Sequence, residues 1–209
     1  MLVQRAVLIQ ALFLALLAPP ASAAERLDLA TVRQKARAIE GLGPFLERYF
    51  GNCRDEQTRS DCEQNVLAVR RALNGHAYAA SVAEQTLDIV KPERTARGYR
   101  FVVTPFIDGG GIALTQGEPR RRDAAGRPLV PLVVMEGALP EGMDEMALES
   151  ALRTGRIELE VIFRHEGTWR LKRKGEPGFY EGVKARFLAL RLVESRSGAE
   201  IASKVFAAD

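Results

Sequence analysis

Residues 157–174 read Ile157-Glu158-Leu159-Glu160-Val161-Ile162-Phe163-Arg164-His165-Glu166-Gly167-Thr168-Trp169-Arg170-Leu171-Lys172-Arg173-Lys174, two runs of alternating apolar and charged residues on either side of a glycine. A period of two with β-branched and aromatic residues on one face is the pattern of a half-buried strand. The register follows from what each turn would pair. A two-residue turn sets Phe163 opposite Arg170 and Val161 opposite Lys172, burying charge against apolar side chains. A three-residue loop of His165-Glu166-Gly167, with Gly167 left-handed, sets Phe163 against Trp169 and Val161 against Leu171. It also sets Glu160 against Lys172 and Glu158 against Lys174, so the run Lys172-Arg173-Lys174 reads as a paired outer face. The expectation is a hairpin that turns at Gly167.

The same period extends outward. Tyr78 to Ile89, Tyr99 to Ile107, Ile112 to Gln116, Leu129 to Met135, Val183 to Glu194 and Ala199 to Phe206 are further strand candidates. Pro105 and Pro131 place their strands at an edge or a bulge, because proline donates no ladder hydrogen bond. A Ser197-Gly198 turn would put Leu190 opposite Val205 and Leu192 opposite Ser203, and Gly109-Gly110-Gly111 would bring Phe106 near Leu114. One short helix at 144–153, stopped by Gly155, interrupts the series. About eight strands with short turns, without a repeated strand-helix-strand unit, predict an antiparallel sandwich or partly open barrel over residues 76–209.

Upstream the period changes to that of helices, and residues 24–75 read as a helical hairpin, making the whole α+β. Asp28 is an N-cap for a helix carrying Leu29, Val32, Ala36 and Ile39. Gly41 to Pro44 break it, and Phe45, Leu46, Tyr49 and Phe50 form a second apolar stripe. Ser60 with Glu63 has the spacing of a capping box for a third element that ends at Asn74-Gly75. Cys53 and Cys62 flank the connection and are the only two cysteines. Paired, they close a short loop; a redox role is disfavoured by their spacing and by Asp55, Glu56, Asp61 and Glu63, which oppose a thiolate.

At the start of the chain Arg5 precedes an apolar run broken only by Gln10, then Pro19, Pro20 and Ala21-Ser22-Ala23, the pattern of a cleaved secretory signal over residues 1–23. The run is too short to span a bilayer, so no membrane span is expected after cleavage. Removing it leaves 186 of the 209 residues and takes the net charge from +3 to +2. An oxidising destination, periplasmic or extracellular, agrees with the cysteine pair.

Composition then excludes. Two His cannot build any three-His site, and neither His76 nor His165 has a second ligand at helical or strand spacing, so no metal and no cofactor is expected. The near-neutral charge and 7% aromatic content argue against nucleic acid. No residue shows catalytic spacing, and Gly109 to Gly111 lack the Lys-Ser/Thr of a phosphate loop. Three candidates remain. Arg120, Arg121, Arg122 and Arg127 form a basic loop able to take an anionic polymer through guanidinium forks. Phe179 and Tyr180 place two rings among turn residues, where they could contact a partner. Glu158 with Glu160, or Glu141 with Asp144 and Glu145, would serve a carboxylate-dependent hydrolase. The reading favoured by the sequence is a non-catalytic binding or assembly module of the bacterial cell envelope, with an envelope protein or an anionic polymer as partner.

Overall fold

The computed structural model describes residues 28–51, 53, 58–83, 89–104, 106–108 and 111–206. Residues 1–23, read above as a secretory signal, and Pro105, Gly109 and Gly110 lie outside them. Helix α1 (Leu29–Lys35) opens as read: the Asp28 carboxylate accepts from Thr31 N at 2.7 Å. It ends before Ile39, because the amides of Arg37 and Ile39 donate to Ala77 O and Ala79 O at 2.9 and 3.0 Å, drawing β1 (Arg37–Ala38) onto the sheet. Helix α2 (Leu42–Phe50) buries Leu42, Leu46 and Tyr49. Helix α3 (Arg59–Leu73) starts after Thr58, so Ser60 lies inside the first turn and the capping box with Glu63 does not form. No residue of α3 is buried. It is tied to α2 by the Cys53–Cys62 disulfide and by Arg70, whose guanidinium donates to Tyr49 O and Phe50 O, both at 2.9 Å.

The strands are β2 (Tyr78–Ala83), β3 (Ile89–Thr95), β4 (Gly98–Val103), β5 (Phe106–Asp108), β6 (Ile112–Gln116), β7 (Arg121–Arg122), β8 (Pro128–Leu129), β9 (Val133–Gly137), β10 (Ile157–Lys172), β11 (Phe179–Glu194) and β12 (Glu200–Val205), with α4 (Glu145–Arg153) before β10. Ten of these strands form one open, mostly antiparallel sheet, β1-β2-β10-β11-β12-β9-β4-β3, with β6 added to β11 and β5 to β6, while β7 and β8 pair alone. The α+β class therefore holds, and the expected sandwich or barrel is replaced by a single continuous sheet. Helices cover both of its faces. The Leu42, Leu46 and Tyr49 stripe of α2 and Leu148 and Ala151 of α4 join the main core around Phe101, Phe163 and Phe187, whereas Val32 of α1 packs on Ile162 and Ala189, which point the other way. Pro131 precedes β9, and the edge strand β3, unforeseen in the sequence, has its irregularity at Pro92, between Val90 and Glu93.

The decisive stretch does not turn at Gly167. Strand β10 continues to Lys172 and pairs throughout with β11, setting Phe163 opposite Phe187, Val161 opposite Leu190, Glu160 opposite Arg191 and Lys172 opposite Phe179. Two bulges compensate. Leu188 is the extra residue on β11 and Glu166 the extra residue on β10, so the register on either side of the pair is the same. Gly167, at φ 147°, is the residue that lets the strand pass this bulge. The hairpin β5–β6 forms, but shifted by one residue from the expected pairing: Ile107, not Phe106, stands opposite Leu114, and Phe106 faces Thr115.

The last hairpin exists but is shifted: Leu190 faces Lys204 and Leu192 faces Ala202, with Ile201 as an extra residue. The cause is Glu194, only 4% exposed, whose carboxylate accepts from both Ser197 N and Ser197 Oγ at 2.7 Å and from Arg156 at 3.4 Å, winding the turn one step tighter. The Ser197 hydroxyl and amide, with Arg156 assisting, hold the Glu194 carboxyl below its usual pKa. A carboxylate lowered on folding stabilises the native state above its unfolded pKa, about 4.3, and that stability is lost as pH falls through the lower folded value. Glu194→Gln should therefore lower the melting temperature near neutrality, with the gap to the parent protein narrowing as pH falls from about 7 to about 3. A gap that stays constant in thermal melts across that range would remove the carboxylate from this account.

Candidate functional site

The stretch of β10 beyond Phe163 has β11 on one side, and on the other it has no strand partner among the described residues. Strand β2 stops pairing at Phe163, where the chain before Tyr78 turns at Asn74-Gly75 out of α3. A cleft of about 610 Å³ lies between this strand edge and the stapled helices, lined by Phe50, Cys53, Leu67, Arg70, Trp169 and Arg170 among others. Its walls are fixed from behind. Trp169 is buried and its indole N–H donates to Thr115 Oγ1 at 2.8 Å. Arg170 stands between the Phe50 and Phe179 rings, 5.7 and 5.3 Å from their centroids, and pairs with Glu181 at 2.8 Å. Arg70 lies 5.2 Å from the Tyr49 ring. Leu67, 49% exposed, is the open apolar side chain of the cleft.

Behind the cleft lies an aromatic cluster. Tyr49 Oη and His165 Nδ1 share a hydrogen bond of 3.1 Å, and the Phe45, Tyr78 and Phe163 rings pack around them. Burial raises the pKa of both tyrosines, an effect that Arg70 partly offsets at Tyr49 and Arg37 at Tyr78, so both remain hydrogen-bond donors near neutrality. His76 and His165 share no metal site: among the described residues, no three His, Cys, Asp or Glu side chains stand close enough to hold an ion.

Three of the five candidate carboxylates, Glu160, Glu158 and Asp144, are engaged in structure. Glu160 accepts from Arg33 at 2.7 Å and pairs with Arg191 at 2.9 Å, Glu158 accepts from Ser81 Oγ at 2.7 Å, and Asp144 caps α4 by accepting from Ala147 N at 2.7 Å. Among the described residues, the carboxyls whose pKa moves, Asp28, Asp123 and Glu194, all move down, each through hydrogen bonds within its own turn. None has the raised value that marks a proton donor.

The two basic runs, by contrast, come together. Arg122 donates to Lys172 O at 2.6 Å, and Gly126 approaches so closely that a Cβ there would lie 2.8 Å from Lys174 Cβ. The expected pairing of Lys172 with Glu160 and of Lys174 with Glu158 does not occur, because both acids lie on the other half of β10. Arg127 pairs with Asp123 at 2.8 Å and Arg173 with Glu176 at 3.7 Å. Phe179 starts β11 rather than sitting in a loop and is 46% exposed, while Tyr180 is half-buried beneath Arg173. No sequence pattern pointed to Phe50, Leu67 and Arg70 as facing Trp169 and Arg170, since that contact depends on where α3 lies against β10.

These features define an α+β protein with a disulfide-stapled helix pair set against an open strand edge. No helix among the described residues is long and apolar enough to cross a membrane. The chain belongs to the family described as "Family of unknown function (DUF6066)", whose model matches residues 4–207. Over 94 residues, 44% of this chain, it is 31% identical to glutamate–tRNA ligase from Acinetobacter baylyi. It is 28% identical to the enzyme of the same name from Cellvibrio japonicus over a stretch of the same length. The chain spans 18% of the length of these curated relatives. No solved structure matches.

Proposed function

We propose that this protein is exported to the bacterial cell envelope and acts there as a non-catalytic binding or assembly module. The cleft between α3 and the half of β10 that has, among the described residues, a strand partner on one side only carries this reading. A strand edge offers a row of backbone donors and acceptors, and an extended segment of a partner polypeptide laid along it gains main-chain hydrogen bonds. Leu67, Phe50 and Trp169 supply apolar contact beside that edge, and Arg70 and Arg170 supply oriented charge. The engaged carboxylates and the disulfide agree with a binding role outside the cytoplasm. The signal peptide read over residues 1–23 supplies the route.

Two measurements test it in cells. N-terminal sequencing of the mature protein from the periplasmic fraction should begin at Ala24, and recovery of uncleaved protein in the cytoplasm would overturn export. A photo-crosslinking residue at Leu67 should give one discrete adduct with an envelope protein, absent when the same residue replaces the distant, exposed Met146 and lost in Arg170→Glu. The same adducts from both positions, or none at Leu67, would overturn the cleft as the binding site.

A further inference from the structure

The join of the two basic runs has a chemistry separate from the cleft. Arg120, Arg121, Arg122 and Arg127 on the β7–β8 loop and Lys172, Arg173 and Lys174 at the end of β10 are all exposed, and they meet through the Arg122–Lys172 and Gly126–Lys174 contacts. Two carboxylates, Asp123 and Glu176, pair with cations of this cluster, so positive charge is in excess there although the whole chain carries only +3. Apolar side chains stand in register with the cations. Leu129, 43% exposed, lies opposite Arg121, and Phe179, 46% exposed, lies opposite Lys172. Leu132, three residues past Leu129, is 59% exposed.

We infer that this end of the β10–β11 hairpin is a docking surface for an anionic bilayer, with the Arg and Lys side chains on lipid phosphates and Leu129 and Phe179 entering the boundary between headgroups and acyl chains. Cations alone would suit any polyanion. Large apolar side chains held among them gain nothing from a hydrated polymer and gain burial in a membrane interface, which is the combination that interfacial binding requires. The inference does not depend on what occupies the cleft.

The test is co-sedimentation of the full mature chain with vesicles of equal parts phosphatidylglycerol and phosphatidylcholine, beside vesicles of phosphatidylcholine alone and soluble polyphosphate. Binding should favour the anionic vesicles and weaken with added salt. Each Lys or Arg at an anionic surface contributes about fivefold, so Lys172→Glu with Lys174→Glu should weaken vesicle binding by at least about 25-fold. Leu129→Ser with Phe179→Ser should weaken vesicle binding by about fivefold or more and leave polyphosphate binding unchanged. Thermal melts matching the parent protein confirm folding, and Arg120→Ser with Arg121→Ser serves if the Lys pair fails to fold. Equal binding to both vesicle types, undiminished binding by the charge variants, or vesicle binding unaffected by the Leu129 and Phe179 changes would each overturn the inference; the last would identify a plain polyanion site. Crosslinking from Leu67 should be unchanged in the Lys172→Glu with Lys174→Glu and the Arg120→Ser with Arg121→Ser variants, which leave the Phe179 ring against Arg170 in place, so failure here and failure of the cleft reading are separable.

Discussion

Gly182→Val is expected to destabilise the protein by about 3 to 5 kcal/mol, seen as a fall in the urea unfolding midpoint with little change in slope. Gly182 sits in the middle of three strands, opposite Trp169 on β10 and Ala113 on β6. A Cβ at this position would collide with Cζ2 and Cε2 of the indole and come within 2.6 Å of Ala113 O. The ring cannot step aside freely, since its N–H is held by Thr115 Oγ1 and Thr115, fully buried, in turn donates to Gly117 O at 2.7 Å. Displacing the indole would take its buried N–H away from the Thr115 hydroxyl, adding a desolvation cost of about 1 to 3 kcal/mol to the overpacking itself. In a Trp169→Ala background the cost of the valine should fall by more than half, because the larger of the two obstacles is gone. Equal costs in the two backgrounds would show that the backbone contact with Ala113, and not the indole, dictates the glycine.

The same residues explain where the sequence could be read and where it could not. Alternation told correctly which side chains share a face only as far as the bulge: Val161 and Phe163 are buried and Arg164 is exposed, but beyond the extra residue Glu166 the parity inverts, so Trp169, opposite Gly182, lies on the other face from Phe163, which stands opposite Phe187. Local pairing rules then chose the wrong partner. They match Trp169 to Phe163, a good apolar pair two residues from either end of the His165-Glu166-Gly167 loop, whereas its true neighbour is Gly182, a position whose fitness lies in having no side chain. Nothing in an isolated glycine announces that a ring lies on it. The charge argument failed in the same way, since Glu160 finds Arg33 and Arg191, far away in sequence, more closely than any lysine of its own run. That error hid the basic join, because Lys172 and Lys174 looked neutralised. Caps with short-range chemistry were legible: Asp28 and Asp144 both accept from the amide three residues on. The cleft was not, because α3 has no buried face for a periodicity to reveal.

That exposed α3 makes the disulfide the second large effect. Closing a loop of nine residues restrains the unfolded chain by roughly 2.5 to 3 kcal/mol. For a helix buried by its own apolar stripe, such a loss would spread over the whole domain. Here the ties between α3 and the rest, among the described residues, are Arg70 on two carbonyls and the Tyr49 ring of α2, Val66 against Gly51, Leu73 at the margin of the core with its carbonyl accepting from the Tyr78 hydroxyl, and Cys53–Cys62. The bulk of the core lies in the sheet with α2 and α4 and contains no cysteine. Cys53→Ala with Cys62→Ala is therefore expected to act locally. Amide hydrogen exchange over 59–73 should accelerate by about two orders of magnitude, the factor corresponding to roughly 2.7 kcal/mol. Exchange in β10 and β11 should change by much less. The cleft would open with the helix, so crosslinking from Leu67 should be lost even though the sheet stays folded, and dithiothreitol should reproduce both effects in the parent protein. Uniform acceleration across helix and sheet would show instead that α3 and the sheet unfold as one cooperative unit. Protection unchanged over 59–73 would show that Arg70 and the α2 contacts suffice without the bond. The predicted outcome ties function to compartment: where thiols are kept reduced, the sheet would fold but the binding edge would lack its second wall.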